Sequence, residues 1–150
     1  MTFPRIYLSG ILLFLAGCAS PTILEHQSFS MGVPSWDQQS LLTSQGIPYG
    51  FTASDADCIF NLTFTLDSYL QTAQPLFQEL HSLGPNVIMD YQLLDNLAFI
   101  EYVLPNNLGG SLKILSCPSG FTYTVDYQCL MSALPERRSE ILSILNSMAC

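Results

Sequence analysis

Cysteine carries most of the reactive chemistry open to this chain. There are five: Cys18, Cys58, Cys117, Cys129 and Cys150. Cys18 closes an apolar run, Ile6 to Gly17, that begins just after one basic residue, Arg5. A positive start, a short apolar middle and small residues at the cut form the layout of a signal peptide. The run is about twelve residues, too short to cross roughly 30 Å of hydrocarbon as a helix, and no later stretch approaches eighteen uninterrupted apolar residues. The other four cysteines are even in number, which in an exported chain reads as two disulfides. Zinc would ask for a close pair such as C-x-x-C. None is present, and His26 and His81 sit near no cysteine in sequence.

Other chemistry finds little support. A serine hydrolase needs a nucleophile, a base and an oxyanion site, and no G-x-S-x-G occurs. His26 falls in the expected tether, and His81 near a helix end reads as a surface residue. Asp55 with Asp57, or Asp90 with Asp95, could pair for glycoside chemistry, but turn and hairpin roles explain both pairs more simply. Asp55-x-Asp57 without a longer acidic loop is a thin basis for calcium, which takes six to eight oxygens. Gly109-Gly110 reads as a turn rather than a phosphate cradle. Asn61-Leu62-Thr63 matches a glycosylation sequon but lies in an expected strand and carries no weight. The residues therefore point to no enzyme, no metal and no cofactor.

The segment Leu15-Ala16-Gly17-Cys18 resembles the lipobox of bacterial lipoproteins. The resemblance implies that the Cys18 sulfur receives a diacylglyceryl group, that the chain is cut before it, and that the new amine is acylated. Several acyl chains on one cysteine give stable anchoring, since each buried methylene contributes about 0.8 kcal/mol. Ala19 and Ser20 follow; the absence of Asp directly after the cysteine resembles the outer-membrane class. The expected organisation is a signal peptide (1–17), a lipidated tether (18–27) and one domain (28–150), anchored at the outer membrane and facing the periplasm. Lys113, Arg137 and Arg138 stand against twelve acidic residues in the mature chain, a net charge of about −9. That excess argues against nucleic acid and against an electrostatic hold on anionic lipid.

Hydrophobic periodicity supplies the elements. Residues 28–33 read as a strand ended by Pro34, 36–45 as a short helix or turn, and 48–54 as a strand. The clearest strand is 58–66, with Cys58, Phe60, Leu62, Phe64 and Leu66 on one face. A helix spans 68–83, with Asp67 as its N-cap, Leu70, Ala73, Phe77, Leu80 and Leu83 as its apolar stripe, and Pro75 as a kink or second start. Strands 87–94 and 97–104 meet at Asp95-Asn96, and strands 111–117 and 121–127 around Pro118-Ser119-Gly120. A last helix, about 135–148, buries Ile141, Leu145 and Met148. Trp36 is placed to plug one end of the core. Tyr91, Tyr102, Tyr123 and Tyr127 come from neighbouring strands; core packing is favoured over a shared hydroxyl-lined groove. The fold class is α+β: an antiparallel sheet of about six to seven strands covered by two main helices.

Element lengths suggest the disulfides. Strand 121–127 covers about 23 Å and fourteen helical residues about 21 Å. A helix returning along that strand brings Cys150 to Cys117, which leaves Cys58 for Cys129.

Phe29-Ser30-Met31-Gly32-Val33-Pro34-Ser35-Trp36, the element order after it, and the ending Ile144-Leu145-Asn146-Ser147-Met148 together look like the PsbP-like and DcrB-like superfamily. The resemblance covers nearly the whole mature domain and is one of element order rather than motif. It implies a non-enzymatic binding or accessory subunit of an envelope or secretion assembly, with an envelope protein as partner. It transfers no functional residues. The alternative is a small-molecule or lipid carrier with a pocket between helix 68–83 and the sheet.

Overall fold

The structure, a computed structural model, describes residues 5–7, 12–13, 22–36 and 38–150. The elements run β1 (Arg5–Tyr7), β2 (Leu12–Leu13), β3 (Thr22–His26), β4 (Phe29–Val33), β5 (Gln38–Ser44), β6 (Ile47–Ser54), β7 (Cys58–Thr65), α1 (Tyr69–Ser82), β8 (Ile88–Leu93), β9 (Leu97–Val103), β10 (Leu108–Ser116), β11 (Thr122–Leu130) and α2 (Leu134–Asn146). Seven strands form one antiparallel sheet in the order β5-β6-β7-β11-β10-β9-β8. A smaller sheet has the order β2-β1-β3-β4, with β1 parallel to β3. This is an α+β fold with the expected antiparallel sheet and two helices. Leu15 to Cys18 lie outside the described residues.

Alternation within the strands gives the large sheet two apolar faces. On β7, Cys58, Phe60 and Leu62 are buried, and opposite them on β11 stand Cys129, Tyr127 and Val125. The β3–β4 hairpin and α2 close that face with Leu24, Phe29, Met31, Val33, Ile141, Leu145 and Met148. The other face is apolar only toward β8. There Ala98, Ile100, Leu112 and Ile114 pack beneath Tyr69, Ala73, Leu76, Phe77 and Leu80 of α1. Each face buries its own cluster, so the molecule is a three-layer sandwich with α1 and α2 on opposite sides of the sheet.

The helix ends follow local chemistry. Ser68, rather than Asp67, caps α1: the Gln71 N–H donates to Ser68 Oγ (3.3 Å) and the Ser68 N–H to Gln71 Oε1 (3.0 Å). This is a capping box, written in the sequence as Ser-x-x-Gln. α1 continues through Pro75 as one helix, with no second start. Its buried stripe is centred on Ala73, Leu76, Phe77 and Leu80, while Leu70 and Leu83, expected to be buried, are exposed. At the end of α2, Lys113 Nζ donates to the Leu145 carbonyl oxygen (2.7 Å), placing a cation where the helix dipole favours one.

Three further expectations change. The segment 36–45 is neither helix nor turn; it supplies edge strand β5, with a bulge between Leu42 and Thr43. Gly109 and Gly110 are not turn residues but buried members of β10. A Cβ on Gly110 would collide with the Tyr127 carbonyl and the Tyr102 ring, so only glycine permits this crossing. Finally, strands are present ahead of residue 28. The span 22–26, expected in the tether, is β3, and it buries Thr22, Leu24 and His26 against the large sheet.

His26 is the polar exception in this core. Its Nδ1 lies 2.7 Å from Tyr123 Oη, which also donates to the His26 carbonyl oxygen (3.1 Å). Its ring stacks on Phe64 at 4.0 Å and meets Phe121 edge-on. Burial holds the imidazole pKa below its ordinary 6.5. The unfolded chain therefore takes up this proton first as pH falls. The His26 contribution is complete above pH 6.5 and declines below it, with a slope that one proton limits to about 1.4 kcal/mol per pH unit. Urea unfolding between pH 7 and 5 should show this slope in the natural chain and a flatter profile in His26→Gln. Equal slopes would refute the assignment.

Candidate functional site

The structure distributes the residues that sequence reasoning singled out into structural roles. Cys58 bridges Cys129 directly across β7 and β11, and Cys117 bridges Cys150. This is the pairing that the element lengths suggest. Asp55 Oδ1 accepts from the Asp57 and Cys58 N–H groups (both 2.9 Å), and its Oδ2 pairs with Arg137 at 2.6 Å. Burial raises the Asp55 pKa, but these backbone donors and the guanidinium outweigh it and hold the carboxyl below its usual range. The Asp55-x-Asp57 spacing thus serves a turn locked to α2. Asp90 lies within β8, where its Oδ1 accepts from the Tyr91 N–H (2.9 Å), and Asp95 lies in the turn that follows. Among the described residues, no three His, Cys, Asp or Glu side chains gather as a metal site would require.

The four strand tyrosines divide between the two faces. Tyr123 and Tyr127 enter the core under α2, where Tyr127 Oη donates to Glu140 (2.9 Å) and the ring of Trp36 stands edge-on at 5.4 Å. Arg137 lies 5.6 Å over the Trp36 ring, so the tryptophan closes that end of the core as expected. Tyr102, on the α1 side, donates to Asp126 and accepts from Gln128. Burial raises the pKa of both Tyr102 and Asp126, with the Asp126 charge adding to the rise on Tyr102. No tyrosine-lined groove results.

What remains is a surface at one end of the sheet. A groove of about 650 Å³ runs between α1 and the end of β8 with its turn to β9. Leu70, Phe77, Leu93 and Leu94 give it an apolar wall; Gln74, Gln78, His81 and Asp95 supply polar groups. Tyr91 lies beside it, edge-on to Phe77 at 5.4 Å. Leu70 is 68% exposed, Tyr91 57% and Leu93 47%. Register explains why. Tyr91 and Leu93 oppose Ile100 and Ala98, so they share the α1 face, but α1 sits over β9 and β10 and leaves β8 uncovered. β8 is also the end of the sheet. A second groove, about 660 Å³, lies between β4 and α2 and is lined by Met31, Val33, Trp36, Glu140 and Ile144. Met31 and Val33 are buried there and none of its lining residues is an exposed large hydrophobic, so its apolar groups are already served. At the α1–β8 surface, by contrast, Leu70, Leu93 and Leu94 are left in water.

Sequence reasoning placed Leu70 in the buried stripe and took 87–94 as an ordinary apolar strand. The signal was present in Met89, Tyr91, Leu93 and Leu94. β8 puts Tyr91 and Leu93 on the α1 face and Asp90 and Gln92 on the other, and it lies at the end of the sheet, beyond the strands that α1 covers.

No family model matches the chain, and a search of curated proteins finds no match. Among solved structures the chain is similar to the solution structure of cyanobacterial PsbP (CyanoP) from Synechocystis sp. PCC 6803. The TM-score is 0.55 at 10% sequence identity, covering 81% of this chain and 85% of that one. The domain has a PsbP-like fold.

Proposed function

We propose that this chain is a lipid-anchored, non-enzymatic binding or accessory protein of the cell envelope, which meets its partner through the α1–β8 surface. The observation that carries the binding role is the distribution of exposed apolar side chains. Of the large hydrophobics exposed among the described residues, Leu70, Leu93 and Leu94 line one groove, and Tyr91 adjoins it through Phe77. A concentrated apolar patch marks an interaction surface, whereas single exposed residues need no explanation. The PsbP-like fold is in keeping with an accessory role. The carrier alternative has less support, because Ala98, Ile100, Leu112 and Ile114 fill the interface beneath α1, and the groove at its edge, which Ala73 and Phe77 also line, has the exposed Leu70 and Leu93 in its wall.

The anchor rests on Leu15-Ala16-Gly17-Cys18, and an outer-membrane position facing the periplasm on Ala19-Ser20. Growth with a fatty-acid probe should label the natural chain, while Cys18→Ser should be unlabelled and released from the membrane fraction. An unlabelled natural chain would refute the anchor. Leu70→Glu with Leu93→Glu should leave the melting temperature within a few degrees, since both side chains already face water. The same pair should remove co-purification of the envelope partner; undiminished co-purification would refute the contact surface.

A further inference from the structure

We infer that the free edge of β8 is a strand acceptor: it takes an extended segment of a partner protein, apolar at alternate positions and flanked by lysine or arginine, as an eighth strand of the large sheet. The inference rests on the reading of the α1–β8 surface as the contact surface and names what that surface receives.

The two ends of the sheet differ. At one end β5 reads Gln38-Gln39-Ser40-Leu41-Leu42-Thr43-Ser44; it is polar along most of its length, and its Leu41 packs into the core. At the other end β8 reads Ile88-Met89-Asp90-Tyr91-Gln92-Leu93, exposed from Met89 onward. Edge strands are usually blunted by lysine, proline, a bulge or a covering element. β8 carries one bulge, between Ile88 and Asp90, and neither lysine nor proline. Among the described residues, no strand pairs with its outer side. Its six residues offer about 20 Å of backbone for pairing.

The groove supplies what a bare edge lacks. A strand laid along β8 projects alternate side chains toward the α1 face, where Leu70, Phe77 and Leu94 wall a space of about 650 Å³. Main-chain hydrogen bonds would then give affinity and the groove selectivity, the division of labour in strand addition. Charge selects the flanks. Between residues 66 and 98 the chain has Asp67, Glu79, Asp90 and Asp95 and not one lysine or arginine. Arg138 lies on the α2 face, which Asp90 shares, and is held by Glu101 at 3.3 Å. Asp95 in the groove wall and Asp90 on the strand itself favour a cationic arrival, and they disfavour a second copy of the same edge.

The test uses the mature chain in detergent and a displayed library of random twelve-residue peptides. Enriched peptides should alternate apolar and polar residues between basic ends, and a bound peptide should slow amide exchange across Asp90–Leu93 at least about tenfold. Asp90→Asn with Asp95→Asn should weaken such peptides by about three- to tenfold, the scale of two exposed ion pairs. Peptides that bind the groove without protecting β8 overturn strand addition and leave the contact surface standing. A dimer that protects β8 without peptide overturns the foreign segment in favour of a second copy. Absence of enrichment overturns the inference as well, while partner capture in cells decides the contact surface separately.

Discussion

Removing the Cys58–Cys129 bridge by paired Cys58→Ala and Cys129→Ala changes is expected to lower the unfolding free energy by about 4 kcal/mol. The bridge joins residues 71 apart in sequence, and chain-entropy reasoning assigns a closed loop of that length about this much. Topology places it where it matters. β7 and β11 are neighbours at the middle of the sheet, yet α1 and three strands separate them along the chain. Without the bridge, the central pairing has to form across that whole span. Both cysteines are buried, at 2% and 0% exposure, so alanine is the appropriate replacement; serine would add a buried hydroxyl. Urea unfolding measures the effect. A fall below about 1 kcal/mol would show that the bridge adds little to a pairing already secured by strand contacts.

Tyr123→Ala is expected to destabilise the fold by about 3–5 kcal/mol, and Tyr123→Phe by about 1–3 kcal/mol. Tyr123 is fully buried and stacks on Phe29 at 3.7 Å with its ring 7° from parallel. Burial pushes the phenol pKa up to about 12, so the neutral hydroxyl is the species in the core. That hydroxyl serves both the His26 ring and the His26 carbonyl. Alanine leaves a cavity between β11 and the β3–β4 hairpin, whereas phenylalanine keeps the packing and strands the His26 polar groups. Amide exchange in β3 and β4 should therefore accelerate in both variants, more in the alanine one. Equal stability of the phenylalanine variant and the natural chain would mean that the His26 contacts contribute nothing net.

The fold was legible wherever two independent signals coincided. Strand 58–66 alternates without interruption, and the meander beyond α1 is punctuated by Asp95-Asn96 and Pro118-Ser119-Gly120; the structure places strands there. The disulfide pairing followed from lengths alone, because a helix and the strand before it cover nearly the same distance. β3 was missed because five residues between a polar start and Gln27-Ser28 carry too little apolar pattern to outweigh the expectation of a tether. β5 was missed for a related reason: an edge strand needs only Leu41 to reach the core, so its polar sequence resembles a turn. Gly109-Gly110 shows the opposite error, since glycine served close approach of Tyr102 rather than chain reversal. The candidate site was harder. Periodicity identifies which residues share a face but not whether a second layer covers it, and the exposure of Leu70 and Tyr91 depends on α1 sitting over β9 and β10.

The central claim is that the α1–β8 end of the sheet is where this protein meets its partner. A photo-crosslinking residue at Leu70 or Tyr91, compared in intact cells with one at Ile47 or Tyr49, tests it most directly. All four positions are exposed, at 68%, 57%, 69% and 42%, so reactivity toward solvent does not separate them. The account predicts one discrete envelope protein captured from the first pair and none from the second. Capture from Ile47 or Tyr49 alone, or equally from both ends, would contradict it.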